Sequence, residues 1–297
     1  MFRPSYLQKG DKVALVSPAG ALDSSFIEHS CRVLEDWGLV PVVGQYALAK
    51  SGYFAGEDEL RIKDMQAALD DNDIKAIFCN RGGYGCMRIV ERLDYSTFQG
   101  NPKWIIGFSD ITVFHSKLNT LGIESIHGPM PKTFVANSLE TLDKLREFLF
   151  GKISSYKIPS HPLNRKGVGS SELIGGNLTL LHCLRSTALD YGHRRSILFI
   201  EDVGEKLYSI DRMLHSFKLS GHFDKLSGLI VGDFSKMHGE QFGMDVENII
   251  KDAVEDYNFP VCFGFPAGHE ENNMPLIMGA TVELIVDTTE SILKFKK

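Results

Sequence analysis

The stretch Trp104-Ile105-Ile106-Gly107-Phe108-Ser109-Asp110-Ile111-Thr112 decides the reading of this 297-residue chain. A short apolar run ends in Gly-Phe-Ser-Asp and passes directly into a helical pattern over 111–121. That predicts a strand, a sharp turn and a helix, with one serine at the turn. A serine so placed is lifted out of the sheet at the N-terminal end of a helix. Its hydroxyl is exposed, and the neighbouring backbone N–H groups are available to an oxyanion. This is the geometry of a nucleophile elbow, although Asp110-Ile111 stands where Gly-x-Ser-x-Gly would end. A serine that merely caps the next helix would use the same residues, so the surrounding sequence has to decide.

Outward from this elbow the first half alternates. Strands are predicted over 12–17, 39–43, 74–79 and 104–108, with helices over 24–37, 57–69 and 87–93. Regular β–α alternation predicts a parallel sheet covered by helices on both faces. In such sheets sites form at the carboxyl ends of strands. Both Ser109 and the loop Asn80-Arg81-Gly82-Gly83-Tyr84-Gly85 follow strand ends, so they can face one crevice. Over 151–169 the chain becomes polar and is broken by Pro and Gly, which reads as a linker containing one short strand. A second unit follows, over 170–297. Gly175-Gly176-Asn177 opens a helix running to about Arg185, and a strand over 196–200 ends in Glu201-Asp202. A helix over 207–219 and a strand over 226–231 come next, then short strands at 261–263, 281–286 and 291–295. The expected organisation is an N-terminal α/β domain over 1–150 carrying the nucleophile, the linker, and a smaller C-terminal domain carrying an acid and a base.

Composition narrows the function classes. A hydrophobic share of 43% with 24% charged residues is ordinary for a globular protein. The net charge of −6 and the lack of a basic block argue against a nucleic-acid partner. No run approaches the ~20 apolar residues of a membrane span, and residues 1–11 do not resemble a signal peptide. Five scattered cysteines suit reduced thiols and a cytoplasmic location. Neither Cys-x-x-Cys nor His-Glu-x-x-His occurs, so no metal and no cofactor is expected.

A serine nucleophile needs a base within reach, and the base needs an orienting acid. Among ten histidines, His269 is the leading base. It lies in a glycine-rich polar loop, Phe265-Pro266-Ala267-Gly268-His269, from which it can be aimed across a cleft. His127, which also follows a short strand, is the rival. His115 and His182 sit in helical patterns, and His215 and His222 flank a helix end. His29, His161, His193 and His238 are expected at the surface. Glu201 ends a strand and is the leading acid, with Asp202 and Glu205 as alternatives. Backbone N–H groups of Gly83 and Asp110 are the expected oxyanion donors. The Gly82-Gly83 pair lets successive amides point at an anion. The same loop would suit a phosphate cradle, but it lacks the Gly-Lys-Ser/Thr ending of a Walker motif. Arg81 is the leading partner for a substrate carboxylate, with Arg212 second and Gly82 and Tyr84 as further substrate contacts.

Taken in order, Ser17-Pro18-Ala19-Gly20, Arg81-Gly82-Gly83-Tyr84-Gly85, Gly107-Phe108-Ser109-Asp110, His127-Gly128-Pro129, Gly175-Gly176-Asn177-Leu178, Glu201-Asp202, Tyr208-x-x-Asp211-Arg212-Met213-Leu214 and Gly268-His269 resemble the LD-carboxypeptidases. That serine peptidase family includes muramoyltetrapeptide carboxypeptidases and microcin C self-immunity peptidases. The resemblance covers nearly the whole chain. It implies a Ser109–Glu201–His269 triad, an oxyanion hole at Gly83 and Asp110, and a flavodoxin-like (class I glutamine amidotransferase-like) parallel-sheet N-terminal domain. It also implies a smaller swivelling β/α C-terminal domain and a homodimer. The implied reaction is hydrolysis of the bond to the C-terminal D-alanine of muropeptide tetrapeptides in cell-wall recycling. The implied rival is cleavage of peptidyl- or aminoacyl-adenylates. From a different class, a non-catalytic nucleotide- or phosphosugar-binding protein would also use the Arg81 loop.

Overall fold

The computed structural model describes residues 1–152, 155–192 and 194–296, so the expectations for Ile153, Ser154 and His193 lie outside the described residues. The chain divides into two compact units. One is Met1–Lys152 with Glu271–Ile277; the other is Ile153–Glu270 with Met278–Lys297.

The first unit alternates β1 (Lys12–Val16), α1 (Ser24–Asp36), β2 (Val40–Val43), α2 (Asp58–Asp70), β3 (Ile74–Cys79), α3 (Cys86–Ile89), α4 (Ser96–Gly100), β4 (Trp104–Gly107), α5 (Thr112–Thr120), β5 (Ser125–His127) and α6 (Leu139–Leu149). The strands β2-β1-β3-β4-β5 pair in that order, all parallel. This is the flavodoxin-like order, and it reverses between β1 and β3. The central strands are apolar throughout because helices cover both faces; Val13, Leu15, Ile77, Phe78, Ile105 and Ile106 are each at most 1% exposed. Full burial of such side chains is worth ~1.5–3 kcal/mol apiece. At the reversal the loops after β1 and β3 meet, the Gly20 amide donating to the Gly82 carbonyl at 3.1 Å, at the strand ends where sites form in such sheets.

Elements read from the sequence start and stop within a few residues of those observed. The helix expected over 111–121 is preceded by a 3₁₀ turn, Ser109–Ile111, and runs from Thr112 to Thr120. Helix α6 was not predicted, yet Ser138 caps it by accepting from the Thr141 amide at 3.3 Å. A Ser before an amphipathic run is the signal that could have located it.

The second unit contains β6 (Tyr156–Pro159), β7 (Gly167–Asn177), α7 (Leu178–Leu184), β8 (Ser196–Val203), α8 (Leu207–Leu219), β9 (Leu226–Ser235), α9 (Val246–Ala253), β10 (Val261–Cys262), β12 (Thr281–Val286) and β13 (Glu290–Phe295). Between β10 and β12, β11 (Leu276–Met278) instead borders β5 in the first sheet. The second sheet runs β10-β9-β8-β7-β12-β13-β6. Its β7–β10 half is parallel, and its β12, β13 and β6 half is antiparallel. Helices α7, α8 and α9 share one apolar cluster with the parallel half, including Ile200, Ile210, Leu214, Leu229 and Ile250. No helix among the described residues is long and apolar enough to cross a membrane. All five cysteines are free thiols, with Cys79, Cys86 and Cys262 buried.

Gly175 sits inside β7 at φ +131°, and a Cβ there would overlap the Phe199 carbonyl of β8. Gly122 is also left-handed, at φ +75°, but has open space around it. Gly175→Ala should therefore cost more than about 3 kcal/mol, whereas Gly122→Ala should cost only about 1 kcal/mol of backbone strain. Urea unfolding of the two variants checks the ranking; equal costs would show that β7 and β8 have room to separate.

Candidate active site

Strand β4 stays extended to Phe108, then the backbone turns abruptly at Ser109, which has φ +62°. A non-glycine residue in this left-handed region costs about 1–3 kcal/mol, and such strain clusters at functional sites. Gly107 makes the turn possible, because a Cβ there would come within 2.7 Å of the Ile111 side chain. Ser109 is half-buried, and Asp110 is fully buried.

The glycine loop after β3 lies directly against this turn. A Cβ on Gly82 would be 3.0 Å from Ser109 Cβ and 3.2 Å from the Asp110 amide nitrogen. Asp110 fastens the far end of the loop: its Oδ2 accepts from the Cys86 amide at 2.8 Å, at the start of α3. Burial pushes the Asp110 carboxyl up, while the Cys86 amide and the Arg61 charge oppose that push. Arg61, only 2% exposed, donates from Nη1 to the carbonyls of Pro18 at 2.5 Å and Gly85 at 3.1 Å, and pairs with Asp58. It thereby ties the loops after β1 and β3 together. Gly83 has φ +99° and is exposed. Neither its amide nor that of Asp110 donates to another described residue. Two uncommitted N–H groups, one on the loop and one behind the serine, can receive an anion.

In the second unit, β8 delivers Glu201 and Asp202 in succession. Its pairing with β9 shifts register between Ile200 and Asp202, an irregularity of the kind that re-aims side chains. Glu201, fully buried, accepts from His269 Nδ1 at 2.7 Å. Burial works against the charged imidazole, but the Glu201 carboxylate outweighs it, with Asp202 and Asp233 adding to the effect, so the His269 pKa is raised. Asp202 turns elsewhere. It accepts from the Thr179 amide and hydroxyl at 2.9 and 2.8 Å and from the Asn177 side chain at 2.9 Å, securing the start of α7. Burial and the neighbouring Glu201 raise its pKa to about 6. Of the three acids considered from sequence, Glu201 is the one that meets His269. The carbonyl of Glu205 accepts from the His238 amide.

The structure thus brings Ser109, Asp110 and Gly82 together in the first unit, and Glu201 and His269 together in the second. His127 is fully buried beside Phe108 and His115, with ring centroids 5.9 and 6.1 Å away. His29 and His161, expected at the surface, are half-buried, and His161 stacks on Phe263. Arg81 donates from Nη1 to the Ala21 carbonyl and lies over Tyr53, 5.6 Å from the ring centroid. Tyr84 is 47% exposed, beside Phe54. Arg212 stacks on Tyr208 at 5.4 Å. Sequence reading missed Asp233. Burial, followed by the charges of Glu270 and Glu201, raises its pKa to about 6, and its Oδ2 is buried with no hydrogen-bond partner among the described residues. The signal was present: Asp233 follows the apolar run of β9 just as Glu201 follows that of β8.

Two outcomes are expected from this geometry. Ser109→Gly should unfold at no lower a temperature than Ser109→Ala, because glycine accepts φ +62° without strain; a clearly lower melting temperature would remove the strained-turn assignment. A base must be neutral to act, so the raised His269 pKa should place the acid limb of the kcat/KM profile above about pH 6.5. In Glu201→Gln, burial is left to dominate and the limb should move to lower pH. A pH–rate profile unchanged by that substitution would refute the coupling.

Residues 13–128 match the LD-carboxypeptidase N-terminal domain, and residues 170–284 match the LD-carboxypeptidase C-terminal domain. A Bacillus subtilis protein named "Probable murein peptide carboxypeptidase" is 32% identical over 94% of this chain and 90% of its own length. The "Murein tetrapeptide carboxypeptidase" of Pseudomonas aeruginosa is also 32% identical, over 92% of each chain. The crystal structure of muramoyltetrapeptide carboxypeptidase from Oxalobacter formigenes superimposes with a TM-score of 0.89 at 28% identity, covering 96% of this chain and 99% of that one. The structure of MccF in complex with glutamyl sulfamoyl guanosine shares the fold, with a TM-score of 0.89 at 20% identity, covering 99% of this chain and 98% of that one. With both of its halves matched in order, the chain belongs to the LD-carboxypeptidase family.

Proposed function

We propose that this chain is a serine LD-carboxypeptidase that removes the C-terminal D-alanine from muropeptide tetrapeptides, in the cytoplasmic recycling of cell-wall peptides and as a homodimer. Ser109, in the N-terminal domain over 1–150, is the nucleophile; Glu201 and His269, beyond the 151–169 linker in the domain over 170–297, are the acid and base. Ser109 Oγ attacks the carbonyl of the L-centre–D-alanine bond while His269 takes its proton. The amides of Gly83 and Asp110 receive the developing oxyanion, an effect worth roughly 3 kcal/mol per donor. His269 returns the proton to the leaving amine of D-alanine. A water, activated by the same imidazole, then hydrolyses the acyl-serine. Glu201 holds the ring and stabilises its charged form.

The observation that carries this reading is the 2.7 Å bond from His269 Nδ1 to the buried Glu201. It supports a tautomer with the proton on Nδ1, which leaves Nε2 for the base role. Arg81, Gly82 and Tyr84 belong, on this reading, to the substrate side of the glycine loop. The murein-peptide substrate is supported by the names of the relatives that are 32% identical.

Incubation with L-alanyl-γ-D-glutamyl-meso-diaminopimelyl-D-alanine should release D-alanine. Ser109→Ala should reduce kcat by about 10³-fold or more while the protein stays folded. Cleavage of an aspartyl sulfamoyl adenylate with no release from the tetrapeptide would transfer the assignment to the adenylate-cleaving activity. Turnover of neither, with a nucleotide bound, would make the chain a binding protein.

A further inference from the structure

The first unit holds a cavity of about 300 Å³ beside the glycine loop, lined by Ala21, Leu22, Asp23, Lys50, Gly52, Tyr53, Arg81 and Lys132. Three cations and one carboxylate face it. Among the described residues, neither Lys50 nor Lys132 has a salt-bridge partner, and the guanidinium of Arg81 makes one hydrogen bond, to a backbone carbonyl. Two of these cations, Lys132 and Arg81, are held in place; Lys50 is exposed. The Lys132 amide donates to the Asn80 carbonyl at 2.9 Å, which seats it beside Arg81. Its ammonium lies over the Phe26 ring at 5.0 Å. Arg81 lies over Tyr53. Burial and the charge of Arg81 both push the Lys132 pKa down, with Asp23 only partly opposing. Like charges gathered beside one acid leave an excess of positive potential that an anion would relieve.

The position of the cavity says which anion. Arg81 lines it, and the next residue, Gly82, touches Ser109 at the elbow. The cavity therefore adjoins the loop that packs on the reacting serine, with Arg81 in its lining and the following residue against the elbow. In a peptide losing its last residue, the terminal carboxylate lies only one residue from the scissile carbonyl. We propose that the Lys50–Arg81–Lys132 cavity binds the C-terminal carboxylate of the peptide being cleaved, with Lys132 as its principal charge partner, and so restricts the enzyme to removing a single terminal residue. The proposal rests on the carboxypeptidase reading and adds to it a specificity-determining residue, Lys132, that the sequence did not single out.

The test uses full-length Ser109→Ala, which binds without turnover. Calorimetry with the tetrapeptide and with its C-terminal amide should show the free acid binding at least 10-fold tighter. Adding Lys132→Met should weaken the acid at least 10-fold and the amide less than twofold. Lys132→Arg should keep most of the acid's affinity. Lys50→Met, at an exposed position, gives a second variant with the same selective direction should Lys132→Met fail to fold. Equal weakening of acid and amide, or an acid affinity unchanged in both variants, would overturn the proposal. Acid-selective binding with no D-alanine release by the wild type would leave the cavity assignment standing and remove the carboxypeptidase reading. Release of D-alanine without acid selectivity would do the reverse. Binding of neither peptide would end both.

Discussion

The bond from the Cys86 amide to the buried Asp110 carboxylate, 2.8 Å long, is the constraint on which the elbow depends. Asp110 is the residue immediately after the serine, so one short side chain fixes both the turn and the far end of the glycine loop. The near end is fixed by contact: Gly82 has no room for a side chain against Ser109 and Asp110. A loop held at both ends keeps the Gly83 amide in place without using that amide as a fastener. Arg61 repeats the logic one layer deeper, spending its donors on the carbonyls of Pro18 and Gly85. Preorganised amides cost no rearrangement when charge develops on a substrate.

Carboxylates in the second unit are divided by direction. Glu201 and Asp202 are neighbours in β8, and side chains alternate across a strand. One therefore reaches His269 and the other the start of α7. The His269 pKa is raised by its partner. Its stabilising effect is complete below the unfolded value of about 6.5 and is lost as pH rises through the folded value. Asp202 and Asp233, raised to about 6, bind protons more tightly when folded. Stability linked to them likewise falls as pH rises from about 4 through 6. All three groups thus favour the fold most where the imidazole is charged and unable to act as a base. Readiness for proton abstraction and the stability linked to these three groups lie at opposite ends of one pH range.

Much of this was legible in the sequence because the features are local. The apolar run before Gly107-Phe108-Ser109-Asp110 marks a strand end, and β–α alternation marks the parallel sheet. Glu201 is legible as a strand-end acid for the same reason. What was not legible depends on contacts distant in sequence. Asp110 looked like an oxyanion donor through its amide, while its side chain, which holds Cys86, carried no signal. Lys132 is 51 positions beyond Arg81, and the bond between the Lys132 amide and the Asn80 carbonyl brings them together. Arg81 reads as the leading partner for a substrate carboxylate; the structure shows a guanidinium already bonded to Ala21 and stacked on Tyr53. Residue type announces chemistry, but partner assignment needs the fold.

Strand β11 borders β5 in the first sheet, although it follows nearly all of the second unit along the chain. During synthesis, β1 to β5 emerge early and can pair with one another. The edge beyond β5, however, stays open until residues 276–278 have been made, more than 140 residues later. Through that interval the N-terminal half presents an unpaired strand edge, a surface prone to pairing with the wrong chain. A polypeptide that stops anywhere before β11 is thus a sheet lacking its last strand. Completion of the first half is deferred until most of the second unit has been made.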